Sequence, residues 1–214
     1  MQKLRAVAVA MVATIVVSAS ANAQTVRNFD NSWFWGFKTG INTFSVPGHG
    51  NASTVDFGVD WLITRTKGGL YVSGNQSIFE RDLEFLDPTS NTGQRTVRVN
   101  DMRRITVAGV AFPKHFGGIT PYAGAGYMIA VLGDARIFVD SVNTFPTNAF
   151  LDEVERERSR GAVVGLAGLQ IRTKRAAIFA QETLVPSNRS FLFSSVMSFF
   201  EFGVRWNFGS SIDR

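Results

Sequence analysis

From Phe200 to Phe208 every second residue is large and apolar: Phe200, Phe202, Val204, Trp206 and Phe208. The residues between them, Glu201, Gly203, Arg205 and Asn207, are polar or small. A two-residue period is that of a β-strand with two unlike faces. The same alternation sets Val55, Phe57, Val59, Trp61 and Ile63 against Asp56, Gly58, Asp60 and Leu62. It also sets Trp33, Trp35, Phe37, Thr39, Ile41 and Thr43 against Phe34, Gly36, Lys38, Gly40, Asn42 and Phe44. Eight strands are predicted: Trp33–Phe44, Thr54–Thr64, Gly69–Leu86, Arg95–Phe112, Thr120–Leu132, Gly161–Arg172, Ala176–Val185 and Val196–Phe208. Each reaches the length of about 9–11 residues that a tilted strand needs to cross a bilayer.

The connections alternate in kind. Arg65–Gly68, Pro113–Ile119 and Thr173–Arg175 are short, and each carries Lys or Arg. Ser45–Ser53, Asp87–Gln94, Gly133–Arg160 and Pro186–Ser195 are longer or more polar. Short turns at one end and longer loops at the other are the habit of outer-membrane barrels, in which the short turns face the periplasm. The pattern predicts an all-β fold: a single eight-stranded antiparallel up-and-down transmembrane β-barrel. Its greasy rows meet lipid and its polar rows face the lumen. The lipid-facing set, with its aromatic girdle, is Trp33, Trp35, Phe37, Phe57, Trp61, Phe200, Phe202, Trp206 and Phe208. Within the longest loop, Asp152–Arg160 mixes both signs of charge and reads as a solvated strand extension or hairpin arm.

The amino terminus agrees. Lys3 and Arg5 precede an apolar run, Ala6 to Val17, interrupted by Thr14, and Ala21-Asn22-Ala23 is a small-x-small cleavage site. Residues 1–23 therefore read as a secretory signal peptide and residues 24–214 as the barrel domain. The chain is 45% hydrophobic, with 19 Phe and 20 Gly, a composition that suits a barrel. It has no Cys, which excludes a disulfide scaffold and Cys-ligated metal. The formal charge of +5 is scattered and forms no basic stripe, so nucleic-acid binding is not expected. No P-loop, dinucleotide fingerprint or zinc-protease motif is present, and no cofactor is expected.

The segment Glu201, Gly203, Trp206, Phe208 resembles the carboxy-terminal assembly signal of bacterial outer-membrane proteins. Thr120-Pro121-Tyr122-Ala123-Gly124-Ala125-Gly126-Tyr127 and the hairpin at Arg172-Thr173-Lys174-Arg175-Ala176 resemble the OmpA/OmpX-like porin-family barrels. The resemblance is diffuse but spans nearly all of residues 24–214. It implies a bacterial outer-membrane location and assembly by the barrel-assembly machinery with periplasmic chaperones. It also implies contact with outer-membrane lipid and lipopolysaccharide, and a monomer.

The inward rows are expected to carry Lys38, Asp56, Asp60, Arg172, Glu201 and Arg205, with Arg104 and Glu182 added from strands whose registers are ambiguous. Eight strands leave an interior that side chains can fill, so opposite charges inside must pair. A structural ion-pair plug is the leading expectation, and a narrow solute or ion channel the alternative. His49, with Asp87 and Ser90 in the neighbouring loop, resembles the lipid A acyltransferase barrels, which place His and Ser in outer loops. That enzyme reading is set aside because an acyl chain needs an apolar lumen. An exported lipocalin-like carrier would reverse inside and outside. The remaining expectation is a non-enzymatic protein of envelope integrity or surface contact, acting through its outer loops.

The exposed apolar rows generate a first prediction. The mature protein folds in detergent or lipid, with heat-modifiable mobility on a gel, and not in plain buffer. A folded monomer recovered without amphiphile would reverse the assignment of the two faces.

Overall fold

The structure, a computed structural model, describes residues 31–46, 50–87, 90–114, 116, 118–133, 135–137, 146–173, 175–186 and 196–207. The strands are β1 (Trp33–Val46), β2 (Gly50–Thr64), β3 (Gly68–Leu86), β4 (Gln94–Ala111) and β5 (Ile119–Leu132). After them come β6 (Ala135–Ile137), helix α1 (Asn148–Glu157), β7 (Ser159–Arg172), β8 (Ala176–Val185) and β9 (Met197–Trp206). All pairings are antiparallel. The order β3-β2-β1-β9-β8-β7-β5-β4 is closed by β3 pairing with β4, giving an eight-stranded barrel, and the three-residue β6 adds to the outer part of β4.

Register fixes the stagger. Neighbours from Ala111 on β4 run through Ala123, Ala167, Glu182, Phe200, Ile41, Val55 and Ile78, and return to β4 at Asp101. The circuit regains its own strand ten residues from where it left. Such a shear forces the strands to tilt, so that eight of them enclose a core rather than a pore.

The outward rows form an apolar belt. Phe37 is 77% exposed, and Trp35, Ile41, Phe57, Ile105, Ile129, Val163, Leu169, Ile178 and Phe202 are exposed with it. In water so much contiguous apolar surface would drive association; facing acyl chains it carries no such penalty. Trp33, Trp35, Trp61 and Trp206 gather at the turn end of β9, β1 and β2. Trp35 stacks on Trp61 at 5.5 Å, Trp33 meets Trp61 edge-on at 5.5 Å, and Trp206 lies in register with Trp35. Phe57, Phe200 and Phe202 complete the expected set on the outer wall. Phe208 and the signal-peptide residues lie outside the described residues.

Two features depart from the sequence reading. A bulge between Ile78 and Arg81 of β3 shifts the register against β4, so that the inward row of β4 changes parity. Arg104 and Met102 point in below the bulge, while Arg95, Val97 and Val99 point in above it. No single alternation runs through β4, which is why its register was ambiguous. The charged stretch after Phe150, expected as a strand extension or hairpin arm, is instead largely helix α1. Thr147 caps it, its hydroxyl accepting from Phe150 N at 3.4 Å. Phe150 and Val154, one turn apart, are buried against the loop-end core, and Arg158 reaches back to Glu155 at 2.7 Å. Burying a Phe and a Val contributes about 1.5–3 kcal/mol each, enough to hold a helix too short to persist alone.

The belt generates a second prediction. Phe202→Arg, on the outer wall, destabilises the lipid-folded barrel by about 2–4 kcal/mol. Thr66→Arg, in an exposed turn, stays within about 0.5 kcal/mol. Urea titrations of the two variants in vesicles check this; equal midpoints would remove the membrane from that face.

Candidate functional site

The inward row of β1 reads Phe34, Gly36, Lys38, Gly40, Asn42, Phe44 from the turn end to the loop end. It is apolar at both ends and polar in the middle, and the inward rows of β3 and β8 repeat this layering, while Thr64, Thr120, Gln170 and Asn207 are buried among the apolar residues of the turn end. Phe34, Leu62, Tyr71, Ala108, Val110, Phe112, Tyr122 and Leu166 form a buried cluster at the turn end. A larger one, including Phe44, Phe79, Val99, Met102, Leu132, Met197, Phe199 and the helix residues Phe150 and Val154, fills the loop end. Between the two lie three cations, Lys38, Arg104 and Arg205, and three anions, Asp56, Asp60 and Glu201, all buried.

Glu201 is the centre of the charged layer. Its carboxylate accepts from Lys38 Nζ at 3.0 Å, Asn75 Nδ2 at 2.8 Å, Gln181 Nε2 at 2.7 Å and Arg104 Nη2. Arg104 Nη2 also reaches Asp56 Oδ2 at 2.8 Å. The other oxygen of Asp56 accepts from Ser77 Oγ at 2.7 Å, and Asn75 Nδ2 lies 2.7 Å from Oδ2. Nearer the turn end, Arg205 grips Asp60 through Nε at 3.1 Å and Nη2 at 2.9 Å. Gln181 ties the two groups together: its carbonyl accepts from Arg205 Nη2 at 3.1 Å and Tyr122 OH at 2.9 Å, while its amide serves Glu201 and Tyr71 OH.

Aromatic faces complete the cation shells. The Arg205 guanidinium carbon is 3.7 Å from the Phe179 ring centre, and that of Arg104 is 3.5 Å from Phe199. Gly36 makes the lower pair possible. A Cβ there would overlap Asp60 Oδ1 and come within 2.9 Å of Arg205 Cγ, so any larger residue would displace the ion pair. Gly168 does the same for Tyr122, whose ring would lie 2.6 Å from an added Cβ.

Six of the eight expected lumen residues thus meet in one network. Arg172 lies at the turn end of β7, its guanidinium carbon 5.6 Å from the Phe112 ring. Glu182 is a correction. The inward row of β8 is Ala177, Phe179, Gln181, Thr183 and Val185, so Glu182 falls on the outer wall, where Ser198 Oγ hydrogen-bonds its Oε1. Both rows of β8 hold a long polar residue among apolar ones, and alternation alone could not choose between Gln181 and Glu182. Asn75, Ser77, Tyr71, Tyr122 and Gln181 were missed. The row Tyr71, Ser73, Asn75, Ser77 on β3 carried a period-two signal that could have found three of them.

Of the proposed assembly residues, Glu201 and Gly203 face inward and Trp206 outward. Of the loop constellation, His49 lies outside the described residues. Asp87 is engaged by Arg95, whose Nε lies 2.7 Å from Oδ2, and Ser90 Oγ donates to Gln94 O at 2.8 Å. Both serve as loop staples: the Arg95 guanidinium carbon sits 5.5 Å from the ring of Phe150, linking that loop to α1.

No family model and no curated protein matches the sequence. Solved structures do. Neisserial surface protein A superposes with a TM-score of 0.53 at 11% identity, covering 82% of this chain and 97% of that one. Ail, the attachment invasion locus protein of Yersinia pestis, gives 0.48 at 14% identity, covering 84% of this chain and 100% of that one. The N-terminal β-barrel domain of Pseudomonas aeruginosa OprF gives 0.46 at 14%, with 84% and 98% covered. The fold is that of the small eight-stranded outer-membrane barrels, and the superposition on the neisserial protein carries that statement. Identity this low carries nothing beyond fold.

Glu201→Ala tests the network. It strips Lys38 and Arg104 of a shared partner and is expected to destabilise the barrel by about 3–5 kcal/mol, the usual cost of breaking a buried pair. The measurement is a denaturant titration in vesicles; a change below about 0.5 kcal/mol would mean that lumen water already screens these charges.

Proposed function

We propose that this chain is a bacterial outer-membrane barrel closed by its own core, which serves envelope integrity or surface contact through its loop end and catalyses no reaction. The observation that carries this reading is the layered lumen. A charge-neutral ion-pair layer lies between two apolar clusters, and the outer cluster is completed by Phe150 and Val154 of α1. An ion following the axis would have to displace packed Phe, Tyr and Leu side chains at the turn end and Phe, Met and Leu at the loop end, and break paired charges between them. Among the described residues the packed lumen therefore gives the channel alternative no support. The exposed belt opposes a soluble carrier, and the engagement of Asp87 and Ser90 gives no support to acyl transfer.

In this reading residues 1–23 direct export, and the segment Glu201, Gly203, Trp206, Phe208 addresses the barrel-assembly machinery after passage with periplasmic chaperones. The belt then contacts outer-membrane lipid and the loop end contacts lipopolysaccharide. The extension of β3, β4 and β6 beyond the bulge supports surface exposure of that end. Its outer face is charged, with Arg98 bonded to Asp82 at 2.6 Å and to Glu80 at 3.1 Å. Fold likeness to a neisserial surface protein agrees with such a placement.

Planar-bilayer recording tests the closure. The refolded protein is expected to pass no steady current. The double substitution Phe150→Ala, Val154→Ala, which loosens the helix plug, is expected to stay silent because the ion-pair layer and the turn-end cluster remain. Reproducible openings in the unaltered protein, with charge selectivity, would overturn the closed reading in favour of the channel.

A further inference from the structure

The short turns gather cations at one end of the barrel that the lumen network does not use. Arg65 and Lys67 stand in the β2–β3 turn, Lys114 follows β4, and Arg175 precedes β8. Arg65, Lys67 and Lys114 are exposed, and Arg175 is half-buried. Among the described residues no carboxylate stands in these turns or at the adjoining strand ends; Asp60, the nearest to Arg65 along the chain, is buried against Arg205. The loop end is different. There Arg98 pairs with Asp82 and Glu80, Arg103 with Asp101, and Arg158 with Glu155.

Backbone bonds and neighbouring side chains set the depth of these cations. Lys67 O accepts from Phe112 N at 2.9 Å, which holds the β2–β3 turn beside the connection that carries Lys114. Arg175 O accepts from Asn207 N at 2.8 Å, and the next residue, Ala176, registers with Trp206. Ile63 registers with Trp33, and Arg65 follows two residues on, about 7 Å along the strand. Lys114 Nζ lies 5.4 Å from the ring centre of exposed Phe116. Phe116 bridges to Ile119, which registers with Ile171, and both isoleucines are exposed. Apolar side chains thus run directly up to ammonium and guanidinium groups, the order in which a bilayer passes from acyl chain to headgroup.

We propose that this basic collar binds anionic glycerophospholipid headgroups in the leaflet that the short turns face. Lys67, Lys114 and Arg175 take the phosphodiester charge, and the tryptophans sit at the acyl boundary beside them. Lys and Arg hydrogen-bond phosphate oxygens strongly, and each cation held near an anionic surface adds to the attraction. Unopposed positive charge at this depth selects an anionic headgroup over a zwitterionic one. The inference rests on the membrane reading above and names the lipid that the belt meets at its turn end.

The chain carries its own probe, because all four tryptophans, Trp33, Trp35, Trp61 and Trp206, lie at this end. The mature protein is refolded in phosphatidylcholine vesicles containing phosphatidylglycerol with brominated chains, and in the converse mixture. Quenching of tryptophan fluorescence by the brominated chains gives the relative affinity of the two headgroups. A preference of about fivefold for phosphatidylglycerol is expected at low salt. It should fall toward parity in 1 M salt, where charges are screened beyond about 3 Å. The double substitution Lys67→Glu, Arg175→Glu, on the two sides of the tryptophan cluster, is expected to abolish the preference. Arg103→Glu at the loop end is expected to keep it. Equal quenching in the unaltered protein, a preference that salt does not reduce, or one that survives the double substitution overturns the collar while leaving the membrane reading intact. The salt series needs no variant and so decides even where a substitution prevents folding. Quenching by neither lipid would instead strike the membrane reading itself.

Discussion

Five strands are tied together at one carboxylate. Glu201 of β9 accepts from Lys38 of β1, Asn75 of β3, Arg104 of β4 and Gln181 of β8, so the group spans the lumen from wall to wall. The constraint behind this is that a closed eight-stranded sheet must fill its own interior, and any charge placed there must be neutralised on the spot. The remaining features follow. Glycine stands at Gly36 because the Asp60–Arg205 pair occupies its side-chain space, and Asp56 shares Arg104 with Glu201. Buried ion pairs seldom add net stability, since their attraction is largely spent on desolvation. What they add here is mutual dependence: removing any one of the six leaves the buried layer with an unbalanced charge.

The two ends of the barrel treat the chain differently. At the turn end the connections are short and the tryptophans gather on adjacent strands, which suits an interface where an aromatic ring meets both lipid and water. At the loop end β3 and β4 continue past the bulge into a charged extension, and the long connection folds back as α1 to bury two side chains over the core. The helix is therefore part of the lumen's packing even though it lies in a loop.

Much of this was legible in the sequence because the belt writes itself as a two-residue period. The strands β1, β2 and β9, with both their faces, follow from alternation alone, and six lumen charges follow from the polar rows. Three things did not follow, each for a physical reason. The bulge in β3 switches the parity of β4, so no continuous alternation could place both Arg95 and Arg104 inside. On β8 the two rows are nearly equal in polarity, and the choice between Gln181 and Glu182 is made by pairing with β7 and β9. The inner clusters were hidden by the assumption that a lumen is polar. Phe34, Phe44 and Leu62 sat on the polar rows in plain view, but a barrel this narrow packs its interior as a soluble domain packs its core.

The misplaced carboxylate is also the clearest measure of how the two faces differ. Inside, Glu201 is surrounded by four donors and its charge is balanced; outside, Glu182 has one hydroxyl, with Ala167, Leu184 and Phe200 beside it. The same chemical group on neighbouring strands thus meets a complete shell in the lumen and an incomplete one in the belt. Internal neutrality balances the charges of the lumen, and the packed side chains above and below them fill the space. The charged loop end and this acid on the belt both lie on the outside of the barrel, where the lumen's balancing of charge does not reach.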